Sequence, residues 1–368
     1  MIGKEKIEYR QFAILVLLFT IGTSIIIAPN MLAAYAQQDA WISALLGLGV
    51  GLFIVWCYSV MGRYYKELTL IEAIHASFGN YLGFVIALIF SGFALILSSL
   101  VLSNIGTFVS TRLLVGTPLD AIEYIFVITV VIAVRLGIET LARSSEFMIP
   151  MFTFLFFILT FAVLPQIDWD NIKPFFEHDM KQIMQSSYGF ISFPFGELLL
   201  FLMLTPYIAK QKNITRGYMI GALIGGLVLF VITLVSILSL GGHGTAIHTY
   251  PAFAIAKKID MGGVIQRIEV IMAGIWMFSI FTKLSLCVYV TALCLKQLFR
   301  LRDMNCLTLP IALILIPLSQ WLSPNATDFQ TLTQRGMMYF TYGVMLIPFL
   351  TTGLLFLKRK WMKNKNQS

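Results

Sequence analysis

The chain has 368 residues, 58% hydrophobic and 12% charged, with a formal net charge of +8 and a mean hydropathy of +0.84. Soluble domains average about 25% charged residues, so the composition excludes a soluble globular protein and points to an all-α integral membrane protein. The positive charge does not indicate nucleic acid, because the basic residues gather at the ends of apolar runs and no basic-aromatic patch is present.

At about 20 apolar residues per membrane helix, the sequence predicts ten spans, at approximately 11–34, 41–62, 82–108, 121–138, 145–165, 187–208, 217–240, 266–298, 306–322 and 337–357. The first run exceeds the roughly 7–15 residues of a signal-peptide core and is expected to remain as a span. The eighth is long enough to tilt or project, and the ninth carries Pro310 and Pro317. Alternate span ends hold 18 of the 26 basic residues, from Lys4, Lys6 and Arg10 to the cluster after Lys358. The opposite ends hold seven: Arg112, Lys173, Lys181, Lys257, Lys258, Arg267 and Arg335. The positive-inside rule then puts both termini in the cytoplasm.

Two loops on the opposite side are more than connections. The segment 166–186 is acidic and aromatic and is expected to lie partly as an interfacial helix. The segment 241–265 opens on Gly-Gly-His-Gly, and a short helix from about Pro251 would put Phe253 and Lys257 on one face. That helix either caps a cavity or covers lipid-facing surface. On the basic side, 69–78 has the apolar spacing of a surface helix.

Two spans are interrupted. Gly22-Thr23-Ser24 falls near the middle of span 1, with Pro29 two turns on, and Phe193-Pro194-Phe195-Gly196-Glu197 interrupts span 6. Proline removes a backbone donor and clashes with the preceding turn, and a carboxylate at depth costs roughly 2.5–3.5 kcal/mol on insertion scales. Span 1 and span 6 run in opposite directions, five spans apart. Matching interruptions of that kind point to a 5+5 inverted repeat with broken helices 1 and 6 and a ligand site at the midplane. The expected organisation is one polytopic membrane domain, 1–368, with repeats at about 11–165 and 187–357 and a basic tail at 358–368. The ligand-binding candidates are Gly22, Thr23, Ser24, Phe193, Pro194, Phe195, Gly196 and Glu197.

Glu197 and Lys283 are the charges read as most clearly buried. Lys283 lies 16 residues beyond Arg267, about 24 Å along span 8 at 1.5 Å per residue, too far to snorkel easily to the surface. The two either pair across a cavity or form a salt bridge that only fixes packing. Glycines at 217, 221 and 225 and at 47 and 51 recur one turn apart and are read as packing faces. Ser98 and Asn104 are minor cavity candidates, and Phe193, Phe195 or Trp276 are candidates for aromatic walls of the site. No nucleotide-binding loop, glycine-flanked serine elbow or metal-ligand pair on one helix is present, so neither an enzyme, a metal site nor a cofactor is expected. His243 and His248 read as polar loop residues, and Cys57, Cys287, Cys294 and Cys306 as reduced thiols.

Gln38–Trp41, Val134–Glu146, Tyr250–Ile259, Ile265–Trp276 and the Pro-Phe-x-Glu run at Pro194–Glu197 together resemble the B subunits of nutrient-germinant receptors from endospore-forming bacteria. That family is similar in fold to the amino acid–polyamine–organocation transporters. The resemblance implies a subunit in the spore inner membrane that binds a small nutrient, an amino acid or sugar, and triggers germination with A and C subunits. It also implies that Lys283 stands near the site, where related folds hold a sodium ion. The alternative is an ion- or proton-coupled secondary transporter of similar small solutes.

Overall fold

The computed structural model describes residues 6–258, 268–323 and 332–365. Among the described residues, eight helical stretches are long and apolar enough to cross a membrane, and Tyr9–Ile21 adds a shorter apolar helix. Helices α1 (Tyr9–Ile21) and α2 (Ser24–Ala36) make span 1. One of the eight stretches, Ser24–Tyr65, holds two crossings, because the chain turns back at Gln37, whose φ is 40°. Span 2 is α3 (Ala40–Tyr65), followed by the short α4 (Leu70–Phe78). Spans 3, 4 and 5 are α5 (Asn80–Phe108), α6 (Leu119–Arg135) and α7 (Gly137–Val163). Span 6 begins as α8 (Met180–Phe190), and span 7 is α9 (Ile214–Ile247). After α10 (Pro251–Lys258) come α11 (Ile268–Leu298), α12 (Asn305–Leu322) and α13 (Met338–Lys365), which form spans 8 to 10. Span 4, the 17-residue α6, is not one of the eight stretches; with it, the described residues supply a helix for each of the ten expected spans.

Several boundaries differ from expectation. Span 6 starts at Met180, seven residues before 187, because Asp179 and Gln182 form a reciprocal capping box at its start. Within 166–186 the helical part is 180–186, which belongs to α8, preceded by a short 3-10 turn at Trp169–Ile172. The basic tail from Lys358 continues α13 as helix to Lys365; residues 366–368, Arg267 and 259–265 of the far-side loop lie outside the described residues.

Both chain ends meet the same, basic face. Ile7 pairs with the strand-like turn after span 6, donating to Tyr207 O at 2.9 Å and accepting from Ala209 N at 3.0 Å. At the other end Lys358 donates to Ala76 O at 3.1 Å, and Arg359 lies 4.4 Å from the Tyr64 ring centroid. Helix α4 is capped by Thr69 and Glu72 and buries Leu70, Ile71 and Ile74 rather than resting on the surface.

The glycine rows are sockets. The α9 row faces span 1, with Gly217 against Phe12, Gly221 against Val16 and Gly225 against Thr20. The α3 row receives span 6: Phe190 fills the space over Gly47, and Phe195 the space over Gly51. Without a strong hydrophobic drive between helices in lipid, such close packing is the main source of association. Gly51→Val is expected to cost about 1–3 kcal/mol by overpacking and to lower the unfolding midpoint of the purified protein in detergent. Gly49→Val, with nothing within 4 Å of its added carbon, should leave that midpoint unchanged.

Candidate functional site

The two interruptions meet around one buried ion pair. In span 1 the helix stops at Gly22, whose φ of −21° and ψ of −94° leave helical geometry, and restarts at Ser24. Span 6 is interrupted differently. Helix α8 passes into a π turn over Ile191–Phe195 and then a 3-10 segment over Gly196–Met203. Phe195 and Gly196 keep helical backbone angles, so the chain changes winding instead of unwinding. Pro194 is the cause: its missing N–H and its ring displace the regular hydrogen-bond ladder. Helical winding thus continues through Gly196, whose carbonyl accepts a hydrogen bond from the Tyr58 hydroxyl at 3.2 Å.

Glu197 is the second residue of the 3-10 segment, and its Oε2 lies 2.7 Å from Lys283 Nζ on α11, with side chains 1% and 0% exposed. The ammonium also stands 4.9 Å from the ring centroids of Phe19 and of Phe193, a distance at which ring faces attract a cation. Gly22 completes the enclosure, since a Cβ there would stand 2.6 Å from Lys283 Cδ. Only glycine lets the lysine stem pass the break at this separation. The two groups meet as an ion pair at 2.7 Å, and beyond that contact neither the carboxylate nor the ammonium has a hydrogen-bond partner among the described residues. The hydroxyls of Thr23 and Ser24, also buried, lack one too. Buried polar groups are normally satisfied, so this cluster has the composition of a site that accepts a further polar group.

Of the sequence candidates, the structure brings together Gly22, Phe193, Glu197 and Lys283. It sends Phe195 elsewhere, onto Gly51 and Gly226 between spans 2 and 7, where it packs 5.7 Å from the Phe190 ring. Pro194 shapes the backbone, and Gly196 packs on Thr341 and Met345. Trp276 lies on α11, seven residues toward the far side, about 10 Å from Lys283 along the axis. Its ring is 4.4 Å from Phe108, which in turn packs at 5.0 Å on Tyr250 and 5.2 Å on Phe253. Helix α10 thus caps the interior on the side away from the basic face. Asn30 of α2 holds the segment before it, donating to Ala246 O at 2.7 Å and His248 O at 3.0 Å.

The chain matches the family model described as spore germination protein over residues 6–327. It belongs to that family. It is 26% identical to spore germination protein KB of Bacillus subtilis (strain 168), over 99% of this chain and 97% of that protein. It is 24% identical to spore germination protein XB of Bacillus anthracis over 72% of this chain and 74% of that protein. Among solved structures, it is similar to MhsT in complex with L-phenylalanine, with a TM-score of 0.73 and 12% identity over 94% of this chain and 89% of that one. It is also similar to Mhp1, a nucleobase-cation-symport-1 family transporter, with a TM-score of 0.64 and 13% identity over 89% and 75%. The family's fold is therefore that of these transporters, a helical membrane domain with inverted repeats.

Three polar anchors escaped the sequence reading. Glu123 in span 4 is fully buried and accepts from Ser319 at 2.9 and 3.0 Å and from Gln320 at 3.2 Å. An acid inside span 4 was the available signal, masked by its nearness to Asp120 at the span end. Asn30 and Asp39 are the others. Asp39, from the Gln38–Trp41 stretch, accepts backbone N–H groups of Phe176 at 2.9 Å and His178 at 3.0 Å and so anchors the far-side loop. Asn104 is buried with both amide atoms unpartnered among the described residues, whereas Ser98 donates to Ala94 O at 2.7 Å.

Removing one partner of a buried pair leaves the other charge uncompensated, at a cost of about 3–5 kcal/mol. Glu197→Gln and Lys283→Met are each expected to lower the unfolding midpoint markedly in detergent. The double variant, which leaves no buried charge there, should recover most of the loss; additive losses in the double would show that the two residues act independently.

Proposed function

We propose that this chain is the membrane-embedded, B-type subunit of a spore germinant receptor, which binds a small nutrient at the Gly22–Glu197–Lys283 cluster and so triggers germination with A and C subunits. Family membership supports the germination role. The observation that carries the binding reading is the buried ion pair at two meeting interruptions, whose polar atoms have unused bonding capacity. A zwitterionic or hydroxylated nutrient offers a carboxylate or hydroxyl to Lys283 and a donor to Glu197, while Phe19 and Phe193 flank it. The ligand-contact set is Gly22, Thr23, Ser24, Phe193 and Glu197, with Pro194, Phe195 and Gly196 acting through backbone shape and packing. That MhsT, of the same fold, was solved with an amino acid bound supports an amino acid as one nutrient class.

Charge distribution supports cytoplasmic termini, which puts α10 on the outer side of the spore inner membrane, where a nutrient arrives. With the interior closed by α10 and the pair enclosed, binding acts by shifting the balance between this closed form and another, by as much as the ligand prefers one of them. Secondary transport is the second reading, favoured by the transporter fold, because alternating access needs the same midplane site and two states.

Deletion in spores separates the two. Spores lacking the chain are expected to lose their response, followed as the fall in optical density, to at least one nutrient that wild-type spores answer. Complementation with Glu197→Gln or Gly22→Val should not restore it, although the protein accumulates. Unchanged germination with every nutrient mixture, together with reduced solute uptake, would replace the receptor reading by the transporter one.

A further inference from the structure

A pocket lies on the far side of the aromatic pile, away from the ion pair. Its volume is about 350 Å³, and its lining includes Arg112, His248, Tyr250, Phe253, Lys257 and Lys258. Basic residues are scarce on this side, yet three of the seven expected there converge on this one pocket. Its described lining contains no carboxylate. Burial pushes the Tyr250 phenol up to about 12, against the pull of Arg112, so the phenol stays neutral and adds no negative charge at ordinary pH.

The walls are held. Arg112 lies 5.7 Å from the Tyr250 ring centroid, and the Tyr250 and Phe253 rings rest on Phe108 at 5.0 and 5.2 Å. Asn30 fixes the backbone that leads into the pocket through its bonds to Ala246 and His248. Cations gathered over a fixed aromatic floor repel one another, and an anion among them removes that repulsion and gains charge-assisted hydrogen bonds.

We infer that this pocket is a binding site for an anionic oxygen group, a carboxylate or a phosphate, whose apolar remainder rests on Tyr250 and Phe253. Two sources carry such a group: a small soluble molecule and the headgroup of an acidic lipid. The site is separate from the proposed nutrient cluster and does not depend on it.

Val115, 80% exposed and in the pocket wall, provides the reporter. In the full chain with Cys57→Ala and Cys306→Ala, Val115→Cys is labelled with an anionic sulfonatoethyl and with a cationic trimethylammonioethyl methanethiosulfonate. In phosphatidylcholine nanodiscs the anionic reagent is expected to react at least tenfold faster, after correction for their rates with a free thiol. Lys257→Gln alone should reduce that preference, and Arg112→Gln/Lys257→Gln/Lys258→Gln should abolish it. Acetate or inorganic phosphate at constant ionic strength, which keeps general screening fixed, should slow labelling with a saturating dependence in the unaltered pocket. Saturable protection in phosphatidylcholine supports the site with a soluble ligand. Protection seen only when phosphatidylglycerol is included supports it with a lipid headgroup. Equal rates for the two reagents, or no saturable protection from either source, overturns the inference.

Discussion

The ion pair between Glu197 and Lys283 is the constraint on which the rest of the interior is arranged. Two charges taken out of water are repaid only when they meet closely and their remaining bonds are met. Here the first condition holds at 2.7 Å, while beyond the pair itself neither group finds a further hydrogen-bond partner among the described residues. Four helices are needed to maintain the arrangement. Gly22 opens span 1 so that the lysine stem can pass, Pro194 rewinds span 6 so that Glu197 turns inward, and α3 and α9 hold those two spans through glycine sockets. The sockets are structural, yet they set the position of the charges. A shift of Phe195 in its hole over Gly51 and Gly226 would be felt two residues later at Glu197.

Much of this was legible in the sequence, because the bilayer restricts the solutions so strongly. With backbone groups unable to find water, apolar runs become helices, and the ten spans follow. Gly22–Ser24 and Pro194 stand out because both residue types disturb a helix in ways that do not depend on context. What the disturbance becomes does depend on context. Proline states that a hydrogen bond is lost but not whether the chain unwinds or only changes its winding, and span 6 does the latter. The direction of Phe195 was equally closed to sequence reasoning, since an aromatic beside a break suits a ligand wall and a glycine socket alike. Glu123 was overlooked because its partners, Ser319 and Gln320, lie almost 200 positions away.

The pile of Trp276, Phe108, Tyr250 and Phe253 gives the fold a direction. It lies between the ion pair and the basic far-side pocket; Phe253 joins α10 to it through Phe108, and Asn30 ties the segment before α10 to α2. On the opposite face, Ile7 pairs with the turn at Tyr207. A receptor and a transporter both need a closed form of this kind, and what distinguishes them is whether partners read the change or the ligand leaves on the other side.

The most direct test is ligand-dependent thermal stability of the purified chain, screened against the L-amino acids and common sugars. A ligand that binds only the folded form stabilises it by roughly 2.7 kcal/mol at a hundredfold excess over its dissociation constant. At least one nutrient is predicted to raise the unfolding midpoint of the wild-type chain, and the folded Glu197→Gln/Lys283→Met variant is predicted to lose that shift. The same shift in both proteins would contradict a site built on this ion pair.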